Sequence, residues 1–345
     1  MVFFSKVSEN LETEWEKSLS RLAEHKKVDR SKIEATLGDP PKFWKGIGDE
    51  AVLVKDLSHP AQAYAAVAIF LKSMNALRSF VRGQGGNIDL KCACWLAGFP
   101  VTNKQIILGH PDARKSHLSQ TDSNHLKYYE GKRLYENFLL LQHLDEESQS
   151  SGILMDYVGP QIDLGFRLAA RSTPRKTMIS VDLAYLLLSF DDSTANNHEW
   201  HSSKWGAEYN LNADIQFDGT DVLRGVLAGT PYPQIWLDMR PDADLNKLED
   251  QARGTNRPAG LERTIREYVQ VFFEHCRTER KINWMNLPFI CDPLHQCFGT
   301  MPVGYELQML GIQKLWEVLN EPSAPDEPEE TNDPTDITDK SEFMV

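Results

Sequence analysis

Asp49 stands at the tip of Lys45-Gly46-Ile47-Gly48-Asp49-Glu50, between two short apolar arms, Phe43-Trp44 and Ala51-Val52-Leu53-Val54. A carboxylate in that place, beside the edge of a sheet, could hold a divalent ion against the phosphates of a nucleotide. Gly46 and Gly48 permit a sharp turn and let a bulky ligand approach the backbone. The same pattern also describes a plain surface hairpin with a solvated acid at its tip, because Gly-Asp turns are common. A second cluster, Cys92-Ala93-Cys94, has the chemistry of a metal ligand set. The cysteines (Cys92, Cys94, Cys276, Cys291, Cys297) are odd in number and irregularly spaced, however, and this pair lies on an alternating run. Buried thiols are the better reading.

What must position Asp49 is a soluble globular chain. Its 345 residues suffice for one large domain or two ordinary ones, and 41% hydrophobic with 25% charged content is that of a folded soluble protein. No apolar run approaches the roughly 18–20 residues of a membrane span, and no basic region precedes an apolar leader, so the expectation is a cytoplasmic protein. The net charge of −13 argues against a general nucleic-acid binder, which needs a basic stripe. Much of that charge is local. Residues 321–345 carry nine acids against Lys340, with four prolines, and read as a disordered acidic tail.

Along the chain, Met1–Val7 reads as a first strand. Leu11, Trp15, Leu19 and Leu22 mark a helical face over residues 10–25. The hairpin around Asp49 follows. Ser58-His59-Pro60 then opens a helix with Val67, Phe70, Leu71, Met74, Leu77 and Val81 on one stripe, ended at Gly83-Gln84-Gly85-Gly86. Ile88–Cys94 alternates as a fourth strand. The order β-α-β-β-α-β is the ferredoxin-like arrangement, an α+β fold. Residues 103–151 form a polar, partly helical insertion. Ile153–Val158 predicts a strand, Ile162–Arg171 a helix behind Gly159-Pro160, Thr177–Val181 a strand and Asp182–Phe190 a helix. Asp221–Val226 and Gln234–Leu237 pair as a closing hairpin. Residues 241–260 read as a charged connection, and Leu261–Cys276 and Tyr305–Leu319 as helices. The domain plan is therefore 1–240, a C-terminal helical extension over 241–320, and the tail.

A βαββαβ sheet with a carboxylate between its second and third strands has the layout of the palm of polymerases and nucleotidyl cyclases. Lys45-Gly46-Ile47-Gly48-Asp49 resembles the Lys-Thr-Ile-Gly-Asp turn of class III nucleotidyl cyclases. Asp156-Tyr157-Val158-Gly159-Pro160-Gln161-Ile162-Asp163-Leu164-Gly165-Phe166-Arg167 resembles that family's Asp-x-x-Gly-x-x-Val-Asn-x-x-x-Arg block, and Leu223-Arg224-Gly225-Val226 its late Leu-Lys-Gly-Val strand. Three blocks in order over residues 1–240 are far more specific than any one. The Gly-Pro-x-Ile-Asp-x-Gly-Phe-Arg form looks most like the bacterial pyrimidine (uridylate or cytidylate) cyclases of Pycsar anti-phage systems.

The resemblance implies roles. Asp49 would be a metal ligand for Mn2+ or Mg2+. Lys45 and Asp156 would read the base edge, as donor and acceptor. Arg167 would stabilise charge on the α-phosphate, and Arg224 would grip the β- and γ-phosphates. Asp163, four residues before Arg167, shares its helical face. Two positions depart from the family. Phe4-Ser5-Lys6-Val7 places Lys6 where the first metal-binding aspartate belongs, so that Lys6 replaces one metal's charge against the phosphates or Glu9 or Glu12 moves in. Asp163 replaces an asparagine, and beside phosphate it must be protonated, metal-bound or paired with Arg167. The family's sites lie between two subunits, implying a homodimer with shared active sites.

The expected function is thus conversion of a nucleoside triphosphate to a 3′,5′-cyclic nucleotide and pyrophosphate. UTP stands slightly ahead of CTP, and a separate effector reads the product. The alternatives are an adenylate cyclase, since the Lys/Asp combination goes with adenine in purine cyclases, and a catalytically dead nucleotide-binding module. A diguanylate cyclase fits less well, because the Asp156–Arg167 and Arg224 blocks belong to class III enzymes.

Overall fold

A computed structural model of the chain describes residues 2–26, 29–83, 88–99, 102–108, 154–193, 211–239, 244–254, 258–291, 297–302 and a few between 305 and 314. Most of the expected insertion 103–151, most of the helix expected at 305–319 and the acidic tail 321–345 lie outside the described residues. Met1–Tyr305 forms one compact unit and Glu306–Val345 a second.

The N-terminus corrects the first expectation. Residues Val2–Lys26 form a helix, α1, where Met1–Val7 predicts a strand. The physical reason lies in the buried stripe. Val7, Leu11, Trp15, Leu19 and Leu22 recur at helical spacing and are all buried, so the stripe continues one turn upstream of Leu11. A helix satisfies its backbone donors within itself, whereas a strand here would need a neighbour to pair with.

After α2 (Arg30–Leu37), capped by the Asp29 side chain accepting from Ser31 N at 3.1 Å, the hairpin forms as expected. Its strands are β1 (Lys42–Ile47) and β2 (Glu50–Val54). Helix α3 (Pro60–Gly83) is buried almost all round its first four turns and packs on α1. Strand β3 is only Ala93–Cys94, the end of the longer strand expected over 88–94. Strands β4 (Lys104–Leu108) and β5 (Leu154–Val158) pair antiparallel.

Next come α4 (Pro160–Ala169), β6 (Lys176–Ile179), α5 (Val181–Ser193) and the short α6 (Leu211–Asp214). Strands β7 (Ile215–Val222) and β8 (Pro231–Asp238) pair as a closing hairpin, but β7 shares only Asp221 and Val222 with the strand expected over Asp221–Val226, and Leu223–Val226 lie in the turn that follows it. The charged stretch 241–260, expected as a connection, contains a helix, α7 (Asp244–Arg253). Helix α8 (Leu261–Thr278) buries Ile265, Val269, Phe272, Phe273 and Cys276 and packs on α5. Strands β9 (Ile290–Cys291) and β10 (Cys297–Phe298) form a last small hairpin.

The architecture is α+β. Its main sheet has the order β3-β6-β8-β7, with β3 parallel to β6 and the remaining pairs antiparallel. The β1-β2 hairpin and the β4-β5 pair stand as separate two-stranded ribbons. With a helix in place of the first strand, the expected βαββαβ order is not assembled as one sheet. Among the described residues no helix is long and apolar enough to cross a membrane.

Candidate functional site

The register of the Asp49 hairpin decides where its side chains go. Pairing passes from Phe43 opposite Leu53 to Lys45 opposite Val52, so Trp44 is an extra residue on β1. Such a bulge bends the strand and re-aims side chains. Here Trp44 and Lys45 both reach toward β5 and α4. Lys45 Nζ lies 2.6 Å from Asp156 Oδ1, across 111 positions of sequence. The same ammonium sits 4.1 Å from the centre of the Trp44 ring and 5.7 Å from that of Phe166. Asp156 is further fixed by Tyr157 N, which donates to Oδ1 at 2.9 Å.

Aromatic rings enclose this pair. Trp44 meets Tyr157 edge-on at 4.8 Å, Tyr157 meets Phe99 at 5.3 Å, and Phe166 packs on Trp95 at 5.6 Å. The side chains of Lys45 and Asp156 are only 30% and 19% exposed, so their attraction is less screened than at an open surface. Trp44 Nε1 is buried with no hydrogen-bond partner among the described residues, leaving one donor unused beside the pair. The rings of Trp44, Tyr157 and Phe166 are site components that the motif reading did not single out. The signal was present: aromatics stand directly beside Lys45, Asp156 and Arg167 in sequence.

Helix α4 carries the next two residues. Arg167 Nη2 lies 3.1 Å from Asp163 Oδ1, one helical turn away, and both side chains are about half exposed. Of the fates open to Asp163, the structure takes pairing with Arg167. Two glycines of this block are explained by packing. A Cβ on Gly165 would lie 2.2 Å from the Trp95 ring, and one on Gly159 would lie 2.3 Å from Asn103 Oδ1. Gly159 also has φ of 148°, in the region that L side chains rarely adopt.

The remaining predicted residues are not drawn into this cluster. Asp49 is exposed at the hairpin tip, after Gly48 with φ of 62°. Arg224 is exposed in the turn after β7, with no ion-pair partner among the described residues. Lys6 lies on helix α1 and not on a strand. Its Nζ is 2.8 Å from Glu9 and 5.8 Å from the centre of the Phe80 ring of α3. The strand position that the resemblance implies for Lys6 is therefore not the one adopted. Among the described residues no group of three His, Cys, Asp or Glu side chains converges on a metal position.

Cys92 is buried, and burial pushes its thiol up to about 12, which keeps it protonated and unreactive as a nucleophile. A cavity of about 280 Å³ opens on the main sheet beside α7, lined by Arg171, Arg175, Lys176, Gln234 and Arg253 among others. Its cations are already paired, Arg171 with Asp221, Lys176 with Asp218, Arg253 with Glu249, and Arg175 with Asp238, Glu249 and Asp250. None of the predicted site residues lines it. Comparison with known protein families, curated proteins and solved structures finds no match to this chain.

Proposed function

We propose that this chain is a nucleotidyl cyclase that converts a nucleoside triphosphate into a 3′,5′-cyclic nucleotide and pyrophosphate. The carrying observation is the 2.6 Å contact between Lys45 and Asp156 inside an aromatic surround. The motif resemblance assigns these two residues, and no others, to the base edge. Folding brings them together from distant parts of the sequence. A donor and an acceptor side by side can read the polar edge of a base, while aromatic faces offer stacking area.

The reaction then follows from the chain's own groups. The substrate 3′-oxygen forms a bond to the α-phosphorus as the bond to the pyrophosphate oxygen breaks, and the 3′-hydroxyl proton leaves to solvent. Arg167, which follows Phe166 on α4, would donate to the α-phosphate as charge grows there. Its bond to Asp163 holds the guanidinium until substrate arrives and offsets the acid's own repulsion. Arg224 is exposed and available for the β- and γ-phosphates.

Asp49 would hold Mn2+ or Mg2+. A single open carboxylate suits an ion that keeps several waters and takes its other ligands from phosphate, and such an ion screens the phosphate charge. In a homodimer, Asp49 of one protomer would face Lys45, Asp156, Asp163, Arg167 and Arg224 of its partner. The class III reading of the fold rests on the motif resemblance, since the β1-β2 hairpin stands apart from the main sheet. Pyrimidine substrates, UTP ahead of CTP, and a role in anti-phage signalling through a separate effector rest on the Pycsar resemblance.

A second reading is favoured by α1. With a helix and Lys6 where the family's first metal aspartate stands, the chain would be a silent nucleotide-binding module. Incubation of the folded protein with each of the four triphosphates and Mn2+, followed by chromatography of products and calorimetry of binding, separates the readings. Cyclic UMP or CMP with released pyrophosphate is the expected result. Cyclic AMP would move the assignment to an adenylate cyclase, binding without turnover would establish the silent module, and neither binding nor turnover would overturn both.

A further inference from the structure

Helix α4 begins without a capping side chain of its own, because its first flanking residue is Gly159. The orphan donors of its first turn need partners from elsewhere. Asn103, completely buried, supplies one: its Oδ1 accepts from Gln161 N at 3.1 Å. Asn103 Nδ2 in turn donates to Gly98 O at 2.9 Å and to Gln161 Oε1 at 2.7 Å. Gln161 Oε1 also accepts from Gly98 N at 2.8 Å, and Gln161 Nε2 donates to Asp182 Oδ2 at 3.1 Å. Asp182, buried at the start of α5, is held on its other oxygen by Ser180 Oγ and by Leu183 N.

We propose that Gln161 is a positioning residue, through which Gly98, Asn103 and the buried Asp182 hold α4 so that Asp163 and Arg167 face the substrate. This rests on the cyclase reading for what Arg167 does, but the positioning itself is a statement about α4. Gln161 cannot turn over to suit a changed partner. Both lone pairs of Oε1 are taken by N–H donors, so a flipped amide would set donors against Gly98 N and Asn103 Nδ2. Arg167 follows six residues on, in a short helix whose middle is already pressed against Trp95 at Gly165. A rotation or slip of the first turn is therefore passed on to the guanidinium.

The polarity of the Gln161–Asp182 bond makes the proposal testable by a swap. Asp182→Asn turns an NH2 group on either Gln161 Nε2 or Leu183 N, and Gln161→Glu sets carboxylate against carboxylate. The double variant restores one donor and one acceptor, with the new amide at 182 donating to the new carboxylate at 161. Each single variant is expected to lose about 10²-fold in kcat, with KM changed by less than about threefold, and the double to recover most of that loss. Amide hydrogen exchange over residues 160–169 should be faster in both singles and restored in the double.

Singles with unchanged exchange, or a double no better than the singles in either readout, would overturn the proposal. If a single variant fails to fold, the double is compared directly with the wild type, and a double that also fails to fold counts against it. Absence of cyclic product from the wild type would count against the cyclase reading alone. Exchange over α4 then decides the positioning.

Discussion

Lys45 and Asp156 are both charged, both partly buried and both packed among rings, so removing either leaves an uncompensated charge against an apolar wall. Lys45→Ala and Asp156→Ala should each destabilise the fold by about 1–3 kcal/mol, by analogy with broken pairs that are incompletely solvated. Chemical denaturation measures this, and the double variant should cost less than the sum of the two. Arg167→Ala should behave differently. Its side chain is about half exposed and its ion pair is worth only a few tenths of a kcal/mol, so stability should barely move while kcat falls about 10²-fold or more.

Asp182 gives a pH signature of its own. Burial pushes its carboxyl from the ordinary 3.8 up to about 6, against the hydrogen bonds from Ser180, Leu183 N and Gln161 that favour its charge. Between those values the native chain holds a proton that the unfolded chain has released. Stability therefore falls as pH rises through that window and is flat above it, by up to roughly 3 kcal/mol from this group. Tyr232 of β8, which feels the Asp182 charge, ionises far higher, and burial pushes Cys276 of α8, next to Tyr232, up to about 11. Neither titrates in the same range. Thermal melts from pH 4 to 7 should show the slope in the wild type and its loss in Asp182→Asn.

At the scale of elements, the packing of α4 against the segment after β3 predicts a steep cost for one methyl group. Gly165→Ala pushes a Cβ into the Trp95 ring and should cost about 1–3 kcal/mol or more, measurable as a lower melting temperature. Trp95→Leu combined with it should recover part of the loss. Most of these elements were legible in the sequence for a physical reason. Helices α3 and α4 and the hairpin each pair an apolar period with a Pro or Gly that marks an end.

Where the sequence misled, two signals competed. Phe3-Phe4 and Val7 look like a strand in isolation, but Val7 also begins the stripe that runs through Leu11 to Leu22, and the longer periodicity prevailed. Helix α7 was illegible because what ties it to the sheet is charge. Arg175, 11% exposed, binds Asp238 and reaches Glu249 and Asp250 on α7, while Leu245 and Leu248 stay exposed. The Lys45–Asp156 contact could be anticipated only through motif resemblance, since no local rule links positions so far apart. The Gln161 network was missed altogether, because polar residues that satisfy one another inside a fold have no period.

For the whole molecule, the helices α1, α3, α5 and α8 and the sheet form a scaffold, and the candidate site lies on the ribbons and α4 at its side. Phe43, Ile47 and Val158 are exposed apolar residues on those ribbons, where a second protomer would meet them. A homodimer buried there should dissociate on Ile47→Asp, with loss of turnover and little loss of fold, as sedimentation and circular dichroism would show.

The central claim is that Lys45 and Asp156 read the base of a triphosphate that this chain cyclises. Its most direct measurement is the ratio of cyclic products formed from an equimolar mixture of the four triphosphates, by the wild type and by folded Lys45→Ala and Asp156→Ala. The wild type should prefer one pyrimidine by about tenfold or more, and both variants should lose that preference. No cyclic product from the wild type, or a preference that survives both substitutions, would contradict it.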